Sequence, residues 1–231
     1  MLPIMNANGS IGSSRATLVL FCRRPEPGIG KQRLAADLGT EHTSILAEKL
    51  LETALEDAEN WPGPVIVSPS DTADTGWATS LLSRDVSVMP QSEGNLGDRL
   101  NAVDKLARRI GHNRLIYIGS DSPALNEADY MAAREALCGC DVVLIPAEDG
   151  GVTLMGARAP WPPLASLRWS SEYLAADLEQ LCANRGLTVN TLGPGYDVDR
   201  ATDLQRLLMD LETDTRPARA KLYGWLKEHH A

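Results

Sequence analysis

The stretch Arg114-Leu115-Ile116-Tyr117-Ile118-Gly119-Ser120-Asp121-Ser122-Pro123 governs how the rest of the chain is read. Its apolar run has the pattern of a strand buried on both faces. A small Gly-Ser step then delivers a carboxylate, and Pro123 forbids continuation of the strand. Ligands of open α/β sheets bind in the crevice beyond the carboxyl ends of the strands, which makes Asp121 a site candidate and invites a metal ion.

Elsewhere the chain alternates strand and helix patterns. Thr17–Cys22 is a second continuous apolar run, expected as the first central strand, and Glu41–Glu59 carries apolar residues at the three-to-four spacing of an amphipathic helix ended by Asn60, Pro62 and Gly63. Short strands are expected at Pro64–Ser68 and Val86–Met89, with a helical stretch around Trp77–Leu82 between them. Leu96–Ile110 follows as helix, Arg114–Gly119 as strand, Asn126–Leu137 as helix with Asn126 as N-cap, and Asp141–Ala147 as strand. This succession predicts a mostly parallel sheet. Val152–Ala157 is a strand with no helix before it, so an antiparallel or mixed insertion is expected there. Beyond the loop Ala159–Pro163, helices are expected at Ser170–Arg185, Ala201–Leu211 and Pro217–Lys227, and a strand at Leu187–Leu192. No repeat or low-complexity tract divides the chain, so residues 1–16 read as a loose tail and 17–231 as a single domain.

Composition narrows the classes of partner. The formal charge of -9 argues against nucleic acid, whose binding depends on Lys and Arg neutralising phosphates. No apolar run is long enough for membrane insertion. The first residues lack a basic and an apolar signal region, and Cys22, Cys138, Cys140 and Cys182 have no paired metal-ligand spacing, so reduced thiols in the cytoplasm are expected. Cys138-Gly139-Cys140 is read as a tight turn between helix and strand. Nothing in the sequence sets an oligomeric state. Against the acidic background, Arg23, Arg24, Lys31 and Arg33 form a local basic cluster beside a glycine turn, which suggests a small anionic ligand.

Three elements carry candidate chemistry. The loop Pro25-Glu26-Pro27-Gly28-Ile29-Gly30-Lys31-Gln32-Arg33-Leu34 joins a strand to a helix, where backbone N–H groups can cradle a phosphate and Lys31 and Arg33 add charge. It is not a Walker A loop, since no Gly stands five residues before Gly30 and Gln32 follows the Lys, and not a dinucleotide fingerprint, since Arg33 stands where the third glycine would be. A second loop, Gln91-Ser92-Glu93-Gly94-Asn95-Leu96-Gly97-Asp98-Arg99, offers Gly94 and Gly97 for close approach and Gln91 for a base edge, although turn chemistry explains the same glycines. Asp121, Asp149, Asp197 and Asp199 follow expected strands. Hard divalent ions take one or two carboxylates plus substrate phosphates, and Asp121 with Asp199 could supply that pair; Asp199 also competes for the N-cap of the helix at Ala201.

Five motifs in one order resemble the nucleotide-diphospho-sugar transferase superfamily, in its small bacterial glycosyltransferase-A-like branch related to 2-phospholactate guanylyltransferases. They are Arg24-x-Pro-x-Pro-Gly-x-x-Lys31-x-Arg33-Leu34, Gln91-x-x-Gly-x-Leu96-Gly97-x-Arg99-Leu100, Ile118-Gly119-Ser120-Asp121-x-Pro123, Pro146-Ala147-x-Asp149-Gly150-Gly151 and Asp197-x-Asp199-x-x-x-Asp203-Leu204, spanning Thr17 to about Leu211. The resemblance implies a three-layer α/β/α, Rossmann-like fold with a mixed, mostly parallel sheet. It also implies a nucleotide or nucleotide sugar held by Arg24, Pro27, Gly28, Lys31, Arg33, Gln91, Gly94, Leu96 and Gly97. Asp121, Asp199 and Asp197 would bind Mg²⁺ or Mn²⁺. Asp149, Gly150 and Gly151 would line the pocket of a small-molecule acceptor, closed by Trp169, Ser170 and Ser171; Lys31, Arg33, Asp121 and Asp149 would carry the reaction. Gln32 and Val152-Thr153 depart from the branch, which usually has Thr and aromatic residues there, so no acceptor is carried over.

The expected activity is metal-dependent nucleotidyl transfer to a small phosphorylated or sugar acceptor. Lys31 and Arg33 favour it over glycosyl transfer, because a pyrophosphate leaving group carries more charge for a basic loop to stabilise. A nucleotide-binding module without turnover is the alternative from another class.

Overall fold

A computed structural model describes residues 15–230. Seven strands form one sheet: β1 (Thr17–Cys22), β2 (Val65–Pro69), β3 (Ser87–Val88), β4 (Leu115–Ile118), β5 (Val142–Pro146), β6 (Val152–Ala157) and β7 (Val189–Thr191). Their order is β3-β2-β1-β4-β6-β5-β7. All pairings are parallel except those of β6, which runs antiparallel to both β4 and β5. The insertion expected at Val152 is therefore present. It follows from the short Asp149-Gly150-Gly151 connection, which has no room for the crossover that a parallel return requires.

Helices cover both faces, giving three layers. The long helices are α2 (Thr40–Glu59), α4 (Leu96–Arg109), α5 (Glu127–Gly139), α6 (Leu174–Ala183), α7 (Ala201–Asp210) and α8 (Pro217–His230); α1 (Gln32–Leu38) and α3 (Thr75–Thr79) are short. One face of the sheet packs Leu18, Leu20, Val65 and Ile116 against Leu51 and Ala54 of α2 and Ala133 and Leu137 of α5. The other packs Val19, Ile66, Leu115 and Leu144 against Leu100 and Val103 of α4 and Leu178 of α6. Successive strand residues enter opposite cores, the reason the strands read as unbroken apolar runs. A third cluster joins Leu34 of α1, Leu46 and Leu50 of α2, Leu204 and Leu207 of α7, and Leu222 and Leu226 of α8.

Local chemistry explains the boundaries. Asn126 caps α5 by accepting from Ala128 and Asp129 N–H, and Asp129 returns the bond in a capping box. Asn95 and Asp98 do the same at α4. Three expectations change. Helix α1 has no counterpart in the sequence reading, because only Leu34 of its seven residues is buried and Gly39, at φ 78°, separates it from α2. Helix α6 begins at Leu174, not Ser170, since Ser170 has φ 62° and cannot be helical. Arg200, not Asp199, is the N-cap of α7, where the Asp203 carboxylate accepts from the N–H groups of both Asp199 and Arg200.

The tail expected at 1–16 falls mostly on residues 1–14, outside the described residues; Ala16 is buried and its carbonyl accepts Trp61 Nε1 at 2.8 Å. All four cysteines are free thiols. Cys138 and Gly139 are the last residues of α5 and Cys140 is its extended C-cap, so the helix runs through the segment expected as a tight turn.

Candidate functional site

The loops that leave β1, β4, β5 and β7, at their carboxyl ends, bring together Lys31, Arg33, Asp121, Asp149, Asp197 and Asp199. The segment after β7 supplies the crossing. Ala147 and Gly195 form an isolated parallel bridge that prolongs the β5 side of the sheet, and the chain then turns back over the end of β4. There Val198 N–H donates to the Asp121 carbonyl at 2.8 Å. Asp197 and Asp199, flanking Val198, are thereby set beside Asp121.

The first loop reaches the same point. A turn closes between Glu26 and Ile29, with Gly28 at φ 79° and Gly30 at φ 74°. Lys31, the N-cap of α1, adopts a left-handed conformation with φ 46°, uncommon for a residue with a side chain. Its Nζ donates to Asp121 Oδ2 at 3.0 Å and to the Val198 carbonyl at 2.6 Å. Arg33, in the first turn of α1, donates from Nη1 to Asp199 Oδ2 at 2.6 Å. Gln32 Nε2 donates to the Gly28 carbonyl at 3.0 Å, fixing the loop from within. Arg24 stands apart from this cluster, half exposed and paired with Asp74 at 3.6 Å; Pro27 is exposed at the turn.

Carboxylates outnumber cations here. Burial first, and then the nearby charges of Asp121 and Asp149, raise the Asp197 carboxyl to about 6 against the lowering effect of the Lys31 ammonium. Among the described residues, no three His, Cys, Asp or Glu side chains are arranged as a ready metal cluster. The donor set nevertheless fits a hard divalent ion: the donors are carboxylate oxygens, the local field is short of positive charge, and Mg²⁺ completes its shell with phosphate oxygens.

The second loop is more constrained than its sequence suggests. Gln91 is buried, and its Nε2 donates to the Ser68 carbonyl at 2.8 Å, so the amide is oriented by the end of β2. Gly94, at φ 102°, lies against Asp98, and its carbonyl accepts Arg99 Nε at 2.9 Å. Gly97 allows close approach to protein: a Cβ there would lie 2.3 Å from the Leu164 carbonyl oxygen. Leu96 is 42% exposed beside it.

Gly97 and Gly150 hold one irregular strap, residues 159–173, at two places. At the first, Asn95 Nδ2 donates to the Ala165 carbonyl, and Asn101 exchanges bonds with Pro162 and Leu164. At the other, Gly150 has φ 89°, a Cβ would lie 1.9 Å from the Glu172 carbonyl oxygen, and the Gly150 carbonyl accepts Ala175 N–H at 2.9 Å. Trp169 Nε1 donates to the Leu164 carbonyl within the strap. Asp149 Oδ1 accepts Gly151 N–H at 3.0 Å, which shapes the loop without occupying its second oxygen. Trp169 and Ser170 thus lie on a segment tied to both glycine loops.

A cavity of about 170 Å³ adjoins the carboxylates, lined by Arg33, Asp149, Asp197 and Asp199 and by Glu148, Tyr196, Arg200, Thr202, Asp203 and Arg206. The last six were not singled out from the sequence as site residues. Glu148 and Arg206 form a bidentate pair, and the Arg206 guanidinium lies 4.0 Å from the Tyr196 ring centroid. Their partners are distant in sequence, and an Arg on an amphipathic helix gives no signal that it faces a cleft.

The fold is that of the glycosyltransferase-A-like nucleotidyltransferases, a three-layer α/β/α arrangement with one antiparallel strand in an otherwise parallel sheet. The chain belongs to the family described as "Uncharacterized protein conserved in bacteria (DUF2064)", whose model matches residues 50–171. A solved structure from Desulfovibrio desulfuricans G20, of a candidate nucleotide-diphospho-sugar transferase, is similar with TM-score 0.82 and 23% identity over 93% of this chain and 95% of that one. A cytidylyltransferase from Leptospira borgpetersenii is similar with TM-score 0.54 and 12% identity over 93% and 94%. A 4-diphosphocytidyl-2C-methyl-D-erythritol synthase from Anaerococcus prevotii gives 0.52 and 12% over 92% and 96%. No curated protein matches. Among the described residues, no helix is long and apolar enough to cross a membrane.

Proposed function

We propose that the protein is a divalent-metal-dependent transferase using a nucleoside triphosphate or nucleotide sugar, with nucleotidyl transfer to a small phosphorylated or sugar acceptor favoured. The observation that carries this reading is the convergence of Lys31 and Arg33 on Asp121 and Asp199 at the carboxyl edge of the sheet, with Asp149 and Asp197 beside them. Phosphoryl chemistry asks for little from a protein beyond positioning and charge neutralisation.

In this reading the first loop and the Gln91 loop hold the nucleotide, and Lys31 and Arg33 bind its phosphates. Asp121 and Asp199, with Asp197 near, hold Mg²⁺ or Mn²⁺, which neutralises phosphate charge and polarises the reacting group. Asp149 and the Gly150-Gly151 backbone face the acceptor, while Trp169 and Ser170 exclude water from above. The cavity toward Tyr196 and Arg206 gives the acceptor room. A basic loop suits a pyrophosphate leaving group, and the likeness of fold to cytidylyltransferases supports the same choice. Glycosyl transfer is the second reading, favoured by the description of the Desulfovibrio protein. The work would be done in the cytoplasm.

Phosphorus NMR of the protein with Mg²⁺, each nucleoside triphosphate and a panel of sugar phosphates and phosphorylated hydroxy acids tests this. Acceptor-dependent pyrophosphate is the expected product. A free nucleoside diphosphate released from a nucleotide sugar reverses the choice of reaction, and nucleotide binding without turnover of any donor identifies a binding module.

A further inference from the structure

Two residues of one loop hold the two carboxylates that a divalent ion would use. Lys31 pairs with Asp121 at 3.0 Å and Arg33 with Asp199 at 2.6 Å. Among the described residues, neither carboxylate accepts another side-chain hydrogen bond. Asp121 also folds back over its own strand end: a Cβ at Gly119 would lie 2.6 Å from Asp121 Oδ1, so the glycine step leaves the carboxylate free to face Lys31. The Lys31 side chain is only 17% exposed, and its second bond, to the Val198 carbonyl, fastens the ammonium between the two Asp-bearing loops.

We propose that Lys31–Asp121 and Arg33–Asp199 are exchange pairs that couple metal and nucleotide binding. Phosphates take over the two cations, the released carboxylates take the metal, and neither ligand alone binds well. The proposal rests on the nucleotide-and-metal reading above. A metal arriving alone must displace a nearly buried ammonium. A triphosphate arriving alone strips Lys31 and Arg33 from Asp121 and Asp199 and leaves bare carboxylates beside its own negative charge. Arriving together, the two ligands leave every charge compensated. Couplings of this kind are typically about 5- to 150-fold and are reciprocal.

The test is Mn²⁺ binding by electron paramagnetic resonance, without nucleotide, to the wild type, Lys31→Met, Lys31→Arg and Arg200→Met. Arg200 lines the cavity that Arg33, Asp197 and Asp199 also line, and serves as the control for general charge. Lys31→Met is expected to bind Mn²⁺ at least about tenfold tighter than the wild type, while Lys31→Arg, which keeps the cation, and Arg200→Met stay close to it. Equal Mn²⁺ affinity in the wild type and Lys31→Met, or equal tightening by Arg200→Met, overturns the exchange. Calorimetry with ATP, GTP, CTP, UTP and the corresponding nucleoside diphosphate glucoses in excess Mg²⁺ accompanies it, with Lys31→Met expected to lose at least about fivefold in affinity for whichever binds. If a nucleotide binds the wild type and Lys31→Met equally, the exchange alone is overturned; if none of them binds the wild type, the functional reading falls with it.

Discussion

Replacing Arg219 should unfasten the loop that carries Asp121 from the helical layer beneath it. This side chain is fully buried and belongs to α8, outside the segment that the family model covers. Nε donates to the Pro123 carbonyl at 2.9 Å; Nη1 donates to the Thr53 carbonyl and Glu56 Oε2, both at 3.0 Å; Nη2 donates to Asp57 Oδ2 at 2.7 Å and the Leu125 carbonyl at 3.0 Å. One guanidinium thus ties the site loop to α2. Methionine would fill much of the volume but would leave three carbonyls without this donor and remove the main cation from Glu56 and Asp57. Asp57 would retain Arg216 at 3.3 Å and Tyr130 at 2.8 Å. Breaking a buried ion pair on one side costs about 3–5 kcal/mol. For a chain of this size that lowers Tm by about 10 °C. Burial already raises the Asp57 carboxyl despite Arg219 beside it. Removing that cation raises it further, so the penalty is present where Asp57 is ionised and shrinks as falling pH protonates it. Urea unfolding of the wild type and Arg219→Met at about pH 7.5 and pH 5 measures both effects, with Arg219→Lys expected to recover part of the loss. A loss below about 1 kcal/mol, or one that grows toward acid pH, refutes the reasoning.

Asp197→Asn should stabilise the metal-free protein by about 2 kcal/mol at neutral pH: a carboxyl raised to about 6 corresponds to about 3 kcal/mol of disfavoured charge, reduced here by partial solvation. The folded-state value lies above the unfolded one, so this cost appears as pH rises through that range and is mostly gone by about pH 4; paired thermal melts in EDTA at the two pH values read it. Gly150→Ala places a methyl group against the Glu172 carbonyl at a left-handed φ, and should release the strap, seen as faster limited proteolysis within residues 159–173. Removing Mg²⁺ with EDTA should abolish transfer, and Asp121→Ala should lose at least about a hundredfold in rate at saturating metal.

The strand ends were legible because burial on both faces leaves an unbroken apolar run, and the Gly-Ser-Asp-Ser-Pro step after Ile118 marks where that run must stop. The reversal at Val152 was legible for a related reason, since a double-glycine connection cannot hold a crossover helix. The sequence groups Lys31 with Arg33 as loop cations and Asp121 with Asp199 as a metal pair, but the ion pairs Lys31–Asp121 and Arg33–Asp199 are visible only in the structure. They depend on the segment after β7 crossing back to β4 through the Val198–Asp121 backbone bond, which joins residues with no local pattern in common. In sequence Gly97 is open to two readings, ligand approach and turn chemistry, and Gly150 suggests a pocket lining, whereas both accommodate a carbonyl of the strap. Arg206 and Arg219 carried no signal at all: an arginine facing a cleft or a buried carbonyl cannot be told in sequence from one facing solvent.

In the proposed function Asp121 and Asp199 hold a divalent ion against phosphates bound by Lys31 and Arg33. A crystal structure of the protein grown with Mn²⁺ and a nucleoside triphosphate tests it directly, by anomalous scattering. A Mn²⁺ peak in contact with both carboxylates is expected, with phosphate oxygens on Lys31 Nζ and the Arg33 guanidinium. A nucleotide bound elsewhere, or bound at this edge with Lys31 still on Asp121 and no metal between them, would contradict it.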